Sequence, residues 1–210
     1  MMKNALIQQY ITYTLEQNKT PESVYLFAKS AGTNEQEFYN YFSSLQALEM
    51  DIYKTWFDDV MEKCKTSEPW NDYAVREKVL AVFYTFIESL KTNRSFVKYL
   101  KQRDYKLLAK WPAYLNGLHQ SFVAELKPIL ADGVNSQELA ERKYIDAKYV
   151  DALWLNFLFV IKFWIDDDSP GFEKSDAAIE KSVNLALDLM GKSPLDAAFD
   201  FGKFLFQSKS

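Results

Sequence analysis

Apolar residues recur along this chain at steps of three and four, the period of helices that bury one face. Ile7, Ile11 and Leu15 predict a first helix over residues 3–17. Thr20 is a good N-cap and Pro21 suits the first helical position, where a missing N–H costs nothing. A second helix is therefore predicted from there, with Val24, Phe27, Ala28 and Ala31 as its apolar stripe. Gly32 follows where the chain must turn, because glycine takes a left-handed conformation without strain. Asn34, with Glu37 three residues on, caps a third helix running to about residue 41 that buries Phe38 and Phe42. From Leu45 the stripe Leu48, Ile52, Trp56, Val60 and Cys64 predicts a helix long enough to link a small N-terminal domain to a larger body.

The body continues the pattern. Residues 67–72, SEPWND, break the long helix, and the next carries Val75, Val79, Val82, Phe83, Phe86, Ile87 and Leu90 on its inner face. After a turn at 92–95, residues 95–133 predict two helices. Phe96, Leu100 and Leu107 mark the first, Pro112 disfavours the helical conformation at Trp111, and Leu115, Leu118, Phe122 and Leu126 mark the second. Asp132-Gly133 predicts a loop over 131–136. The stretch 153–165, LWLNFLFVIKFWI, is interrupted only by Asn156 and Lys162 and is apolar nearly all round. It is expected to be buried on two sides, one in its own core and one against a partner chain. It is too short to span a membrane, and Asp166-Asp167-Asp168 closes it as a solvated helix end before the turn residues Ser169-Pro170-Gly171. Ile179, Val183, Ala186, Leu187 and Met190 predict a helix over 175–190. Leu195, Phe199, Phe204 and Leu205 predict a last one within 194–207 that covers the body.

Composition fits an all-α fold. Of 210 residues 48% are hydrophobic and 16% aromatic, ample for a core, while only 6 glycines and 6 prolines favour long elements over a turn-rich β architecture. The net charge of −4 argues against general affinity for nucleic acid or anionic membranes. Cys64 is the single cysteine and cannot form an internal disulfide, which fits a reducing compartment. Gln8, Gln9 and Thr12 interrupt any signal-like apolar region, so a cytoplasmic location is expected.

Phe27-Ala28, Ala31-Gly32, Asn34, the run Phe38-Tyr39-Asn40-Tyr41-Phe42, and Leu48 resemble the head of the TetR family of bacterial one-component transcriptional regulators. The helix pair 153–165 and 175–190, joined by DDDSPG, is similar to the last two long helices of that family. The resemblance implies a TetR-like all-α fold with a three-helix helix-turn-helix head, residues 1–47, on a ligand-binding and dimerisation body, residues 48–210. It implies that the third helix lies in the DNA major groove with Lys29, Thr33, Asn34, Glu35, Gln36, Tyr39, Tyr41 and Ser44 near the duplex. It also implies a homodimer joined through Asn156, Val160, Phe163, Trp164, Ile179, Val183 and Leu187.

This head departs from the family pattern. A lysine or small residue is usual where Glu35 stands, and a lysine where Leu45 stands. Residues 1–50 hold Lys3, Lys19 and Lys29 against Glu16, Glu22, Glu35, Glu37 and Glu49, a formal charge of 3 − 5 = −2, and no arginine precedes Arg76. Phosphate neutralisation supplies most nonspecific DNA affinity, so this head is expected to be a weakened DNA ligand. Glu35 and Glu37 admit two readings: acids favoured at the positive end of a helix dipole, or acceptors for a cytosine amino group. Tyr39 and Tyr41 either donate to phosphates or pack against the first helix.

Enzymatic chemistry finds little support. His119 is the only histidine and no ligand-spaced His or Cys accompanies it, so no metal site is expected. Neither a nucleophile elbow nor a glycine-rich phosphate loop is present, and no cofactor is expected. Phe83, Phe86, Trp111, Tyr114, Phe122, Trp154 and Phe157 supply more aromatic surface than a small core requires, which points to a site for an apolar small molecule. The expected function is a ligand-responsive, DNA-binding homodimeric regulator. The alternative is a ligand- or lipid-binding protein of the same fold that has lost DNA binding.

Overall fold

A computed structural model describes residues 2–103, 112–142 and 148–191. Nine α-helices are found among these residues: α1 (Met2–Gln17), α2 (Val24–Ser30), α3 (Glu35–Tyr39), α4 (Leu45–Thr66), α5 (Val75–Lys91), α6 (Arg94–Arg103), α7 (Asn116–Asn135), α8 (Tyr149–Asp166) and α9 (Glu173–Met190). Short 3-10 turns at Glu68–Asn71, Ala113–Leu115 and Pro170–Phe172 join some of them. No strand occurs among the described residues. No helix among them is long and apolar enough to cross a membrane. The fold class is all-α, as the periodicity predicts. The helix end or kink predicted at Trp111, the apolar Leu107 and the helix predicted within 194–207 lie outside the described residues.

The chain divides into two compact units, Met1–Glu62 with Phe86–Phe122, and Lys63–Thr85 with Val123–Ser210. In the first, α1 buries Leu6, Ile7, Tyr10 and Ile11, and α6 buries Phe96, Val97 and Leu100. Edge-to-face aromatic pairs knit this core: Tyr10 stands 5.6 Å from Phe27 and 6.4 Å from Phe96, and Phe27 stands 5.9 Å from Phe38. Leu15 is largely exposed and Thr14 is buried in its place, so the inner face of α1 rotates off the simple four-residue step at its end.

In the second unit α8 packs along α9. Val160, Trp164, Ile179, Val183 and Leu187 are all 2% exposed or less, and Phe83 of α5 meets Phe157 of α8 at 4.8 Å. The loop predicted over 131–136 is instead the last turn of α7, which passes through Pro128 and Gly133 to Asn135. Gly133 serves close packing there. A β-carbon would stand 2.8 Å from Val75 Cγ2 and 3.0 Å from Leu139, so the glycine admits neighbours and does not turn the chain. The DDD end of α8 is also only partly solvated. Asp166 and Asp168 are exposed, but Asp167 is buried and accepts from the backbone N–H and hydroxyl of both Ser169 and Ser175. Burial pushes its carboxyl up, but these four hydrogen bonds outweigh it and hold the group well below the usual carboxylate range.

Candidate nucleic-acid interface

The head is built by two capped helices on a glycine turn. Helix α2 starts at Val24, four residues after the Thr20 expected as its cap, because the Ser23 hydroxyl accepts from the Leu26 N–H at 3.2 Å. Gly32 adopts φ 69°, the left-handed turn its position predicts. Asn34 Oδ1 then accepts the Glu37 N–H at 2.9 Å and starts α3. Glu37 does not complete a reciprocal cap, since its carboxylate accepts from the Asn40 side chain at 3.3 Å.

Phe38 and Phe42 point inward, 0% and 4% exposed, which leaves the opposite side of α3 to solvent. Asn34, Glu35, Gln36, Tyr39 and Tyr41 are exposed, as is Lys29 in the last turn of α2; Thr33 and Ser44 are half-buried. Ser44 has a second task, accepting the Ala47 N–H at 3.0 Å at the start of α4. The expected DNA-facing residues therefore fall on two short helices and their flanking turns; Tyr39, though exposed, also sets its ring edge-to-face 5.6 Å from that of Phe38.

Behind this surface lies a polar bracket that spacing alone did not reveal. Glu49, in the first turns of α4, is buried and accepts from the Tyr10 phenol at 2.5 Å. Arg103, at the end of α6, donates to both its oxygens, at 2.5 and 3.0 Å. Burial, then the charge and hydrogen bond of Glu49, push the Tyr10 phenol well above the ordinary tyrosine range, and burial does the same for Tyr53. Three elements distant in sequence are thus tied to one carboxylate.

The aromatic residues expected to line a ligand site separate into the two units. Phe86 and Phe122 pack on Phe57 at 5.7 and 5.8 Å, and Tyr114 stacks on Tyr53 at 5.5 Å, in the first. Phe83, Trp154 and Phe157 are core residues of the second. Trp111 lies outside the described residues. An open cleft of about 480 Å³ runs along α8 and α9 in the second unit, with Tyr149, Ala152, Asn156, Ser182, Leu185 and Leu189 in its lining.

On the same helices Asn156 donates its amide to the Ser182 carbonyl at 3.0 Å, pinning α8 to α9, and Phe163 is half-buried. Val160, Trp164, Ile179, Val183 and Leu187 are enclosed by their own unit and have no surface to offer a partner. The large apolar side chains that α8 and α9 leave exposed are Leu155, Phe159, Leu185 and Leu189, at 48–67%. Their signal in the sequence is the pair of four-residue steps 155/159 and 185/189, offset from the buried stripes.

Among curated proteins none matches the sequence significantly. The structure is similar to a TetR transcriptional regulator from Nitrosomonas europaea ATCC 19718, with TM-score 0.63 and 16% identity over 89% of this chain and 98% of that one. It is similar to a putative tetR family transcription regulator from Shewanella sp. PV-4, with TM-score 0.61, 18% identity, and 92% and 100% of the two chains covered. A third is Thermus thermophilus FadR, a TetR family transcriptional repressor in complex with lauroyl-CoA, with TM-score 0.64, 16% identity, and 91% and 97% covered. At these identities the likeness establishes the fold. Residues 78–205 match the family described as tetracyclin repressor-like, C-terminal domain, a span of more than half the chain. With that match over the body and the capped helix-turn-helix at its head, the chain belongs to the TetR family of transcriptional regulators.

Proposed function

We propose that this protein is a ligand-responsive transcriptional regulator that binds paired DNA half-sites as a homodimer. Residues 1–47 read the duplex, and residues 48–210 dimerise and bind an apolar small molecule. The observation that carries the reading is α3 itself: a helix capped by Asn34, anchored inward by Phe38 and Phe42, and presenting Gln36 and Tyr39 to solvent where a major groove would receive them. Gln36, Tyr39 and Tyr41 are exposed and so available to a partner. Gln36 can pair with an adenine edge, and the two phenols can donate to phosphates.

The exposed Leu155, Phe159, Leu185 and Leu189 support dimerisation through α8 and α9, because four large apolar side chains left open on two packed helices are what a second copy would cover. For the ligand, the lauroyl-CoA bound by the Thermus thermophilus FadR supports a molecule with a long apolar chain. Such a ligand can act only if it binds the DNA-competent and DNA-incompetent arrangements with different affinity.

The test is binding of the full-length protein to DNA from its own upstream region, beside an unrelated duplex of equal length, with and without lauroyl-CoA. Selective binding of the upstream fragment that lauroyl-CoA weakens or strengthens supports the whole reading. Folded, dimeric protein that retains neither fragment overturns the DNA-binding part.

A further inference from the structure

Deepening that DNA-binding reading, and resting on it, we infer that each head grips the phosphate backbone through uncharged hydroxyls and a single cation, Lys29, so that operator binding depends only weakly on salt. Residues 1–50 hold three lysines and no arginine. Lys3 is engaged with Asp51 at 2.6 Å and lies 5.9 Å over the Phe42 ring, and Lys19 is paired with Glu22 at 2.8 Å. Lys29 is exposed and has no ion-pair partner among the described residues. It shares one face of α2 with Tyr25, one helical step of four away, and Tyr25 is 57% exposed.

The uncharged donors available for phosphates include the hydroxyls of Tyr25, Tyr39, Tyr41 and Ser43, all exposed, and those of the half-buried Thr33 and Ser44. Each can hydrogen-bond a phosphate oxygen without displacing a condensed counterion, and counterion release is what makes protein–DNA affinity fall with salt. The acids on the same surface act in the same direction. Glu35 is exposed beside Gln36 and has no ion-pair partner among the described residues, so it subtracts from any nonspecific attraction. Selectivity then has to come from base edges and hydroxyl geometry, and unrelated DNA gains little. This head is built to discriminate at the cost of nonspecific hold.

The arithmetic is direct. The slope of log affinity against log salt is about −0.9 per neutralised phosphate, so one cation per head predicts about −2 for a dimer, or roughly a tenfold loss between about 50 and 200 mM salt. A protein with 6–10 phosphate contacts would lose about 10³–10⁵ over the same range.

The experiment selects duplexes from a random pool with the full-length protein, then titrates the winning duplex with salt for the native protein, Lys29→Gln, Tyr41→Phe and Glu35→Lys. All three positions are exposed, so the variants fold. The inference expects a slope of about −2 for the native protein and near zero for Lys29→Gln. It expects a parallel line at lower affinity for Tyr41→Phe, and about −4 with new binding to unrelated DNA for Glu35→Lys. A native slope steeper than about −5, or one unchanged by Lys29→Gln, overturns the inference and leaves the DNA-binding reading intact. Selection that enriches no duplex at the lowest salt overturns both.

Discussion

Arg103 meets Glu49 edge to edge, each guanidinium nitrogen on its own carboxylate oxygen, and the Tyr10 phenol closes the third side. The Glu49 side chain is 10% exposed and that of Arg103 31%, so the acid is the more desolvated partner. Breaking such a pair leaves a buried charge uncompensated, which costs about 3–5 kcal/mol when both groups are deep. With the arginine partly solvated, Arg103→Met should cost about 3 kcal/mol at most, and Tyr10→Phe about 1.5, one hydrogen bond to a charged acceptor. Urea unfolding of the two variants measures both. Losses in the opposite order would mean that Glu49 is held chiefly by the phenol.

The same bracket makes stability sensitive to alkali. Burial raises the folded-state ionisation of Tyr10 and Tyr53 above the ordinary value of about 10. Below pH 10 both states keep these protons and the two phenols take nothing from stability. Above it the unfolded chain releases protons that the folded one retains, so stability falls as pH rises, by about 1.4 kcal/mol per pH unit for each phenol. Urea unfolding at pH 8, 10 and 11 should show a shallow fall at first, as the Cys64 thiol raised by burial contributes, and a steeper one above pH 10, where the Tyr84 phenol, raised by burial, adds to the other two; Tyr10→Phe should lessen the slope above pH 10. A flat profile to pH 11 would mean that neither phenol is held protonated by the fold.

Two glycines should respond to alanine for different reasons. At Gly32 a β-carbon meets nothing within 4 Å, so the cost is conformational alone, about 1–2 kcal/mol for a left-handed residue. At Gly117 of α7 the β-carbon would stand 2.5 Å from the Met50 carbonyl oxygen of α4, and backbone must move. Gly117→Ala should therefore cost about 1–3 kcal/mol and disturb the α4–α7 contact, visible as chemical-shift changes around Met50 and Lys54. Gly32→Ala should leave those signals in place.

The contrast between these glycines marks where sequence reading succeeds. Gly32 was legible because a left-handed turn is a local demand, set by a helix that must stop between Ala31 and Asn34. Gly117 and Gly133 were not, since their reason is the approach of another helix, which no local pattern contains. The buried stripe of α5 came out residue by residue, from Val75 to Leu90, because a 3.6-residue period repeated over several turns narrows the choice of face; on α4 the four-residue step from Leu48 to Cys64 passes over Tyr53, Phe57 and Met61, which are just as buried. Helix α8 defeats the same method. When nearly every residue is apolar, periodicity cannot say which side faces the chain's own core; Val160 and Trp164 lie in that core, and Leu155 and Phe159 are exposed. The Glu49 bracket joins residues 39 and 54 positions apart, a separation at which spacing carries no information.

The exposed apolar side chains of α8 and α9 supply the last prediction. Phe159 and Leu189 are 48% and 67% exposed, so replacing either with aspartate removes little from the monomer's core and should leave its helicity intact. Across a two-fold interface each substitution is felt twice. Losing the burial of one such side chain per protomer, about 1.5–3 kcal/mol each, weakens the dimer by about 3–6 kcal/mol, roughly a hundredfold to ten-thousandfold. Light scattering over a concentration series should show a native dimer and, for Phe159→Asp, a folded monomer. The operator measurement then separates two roles for this surface. If the monomer loses selective DNA binding while α3 is untouched, affinity depends on two heads held at one spacing. If it binds a half-site as tightly as the native protein binds the whole, the second copy contributes nothing to recognition, and the paired-half-site reading falls.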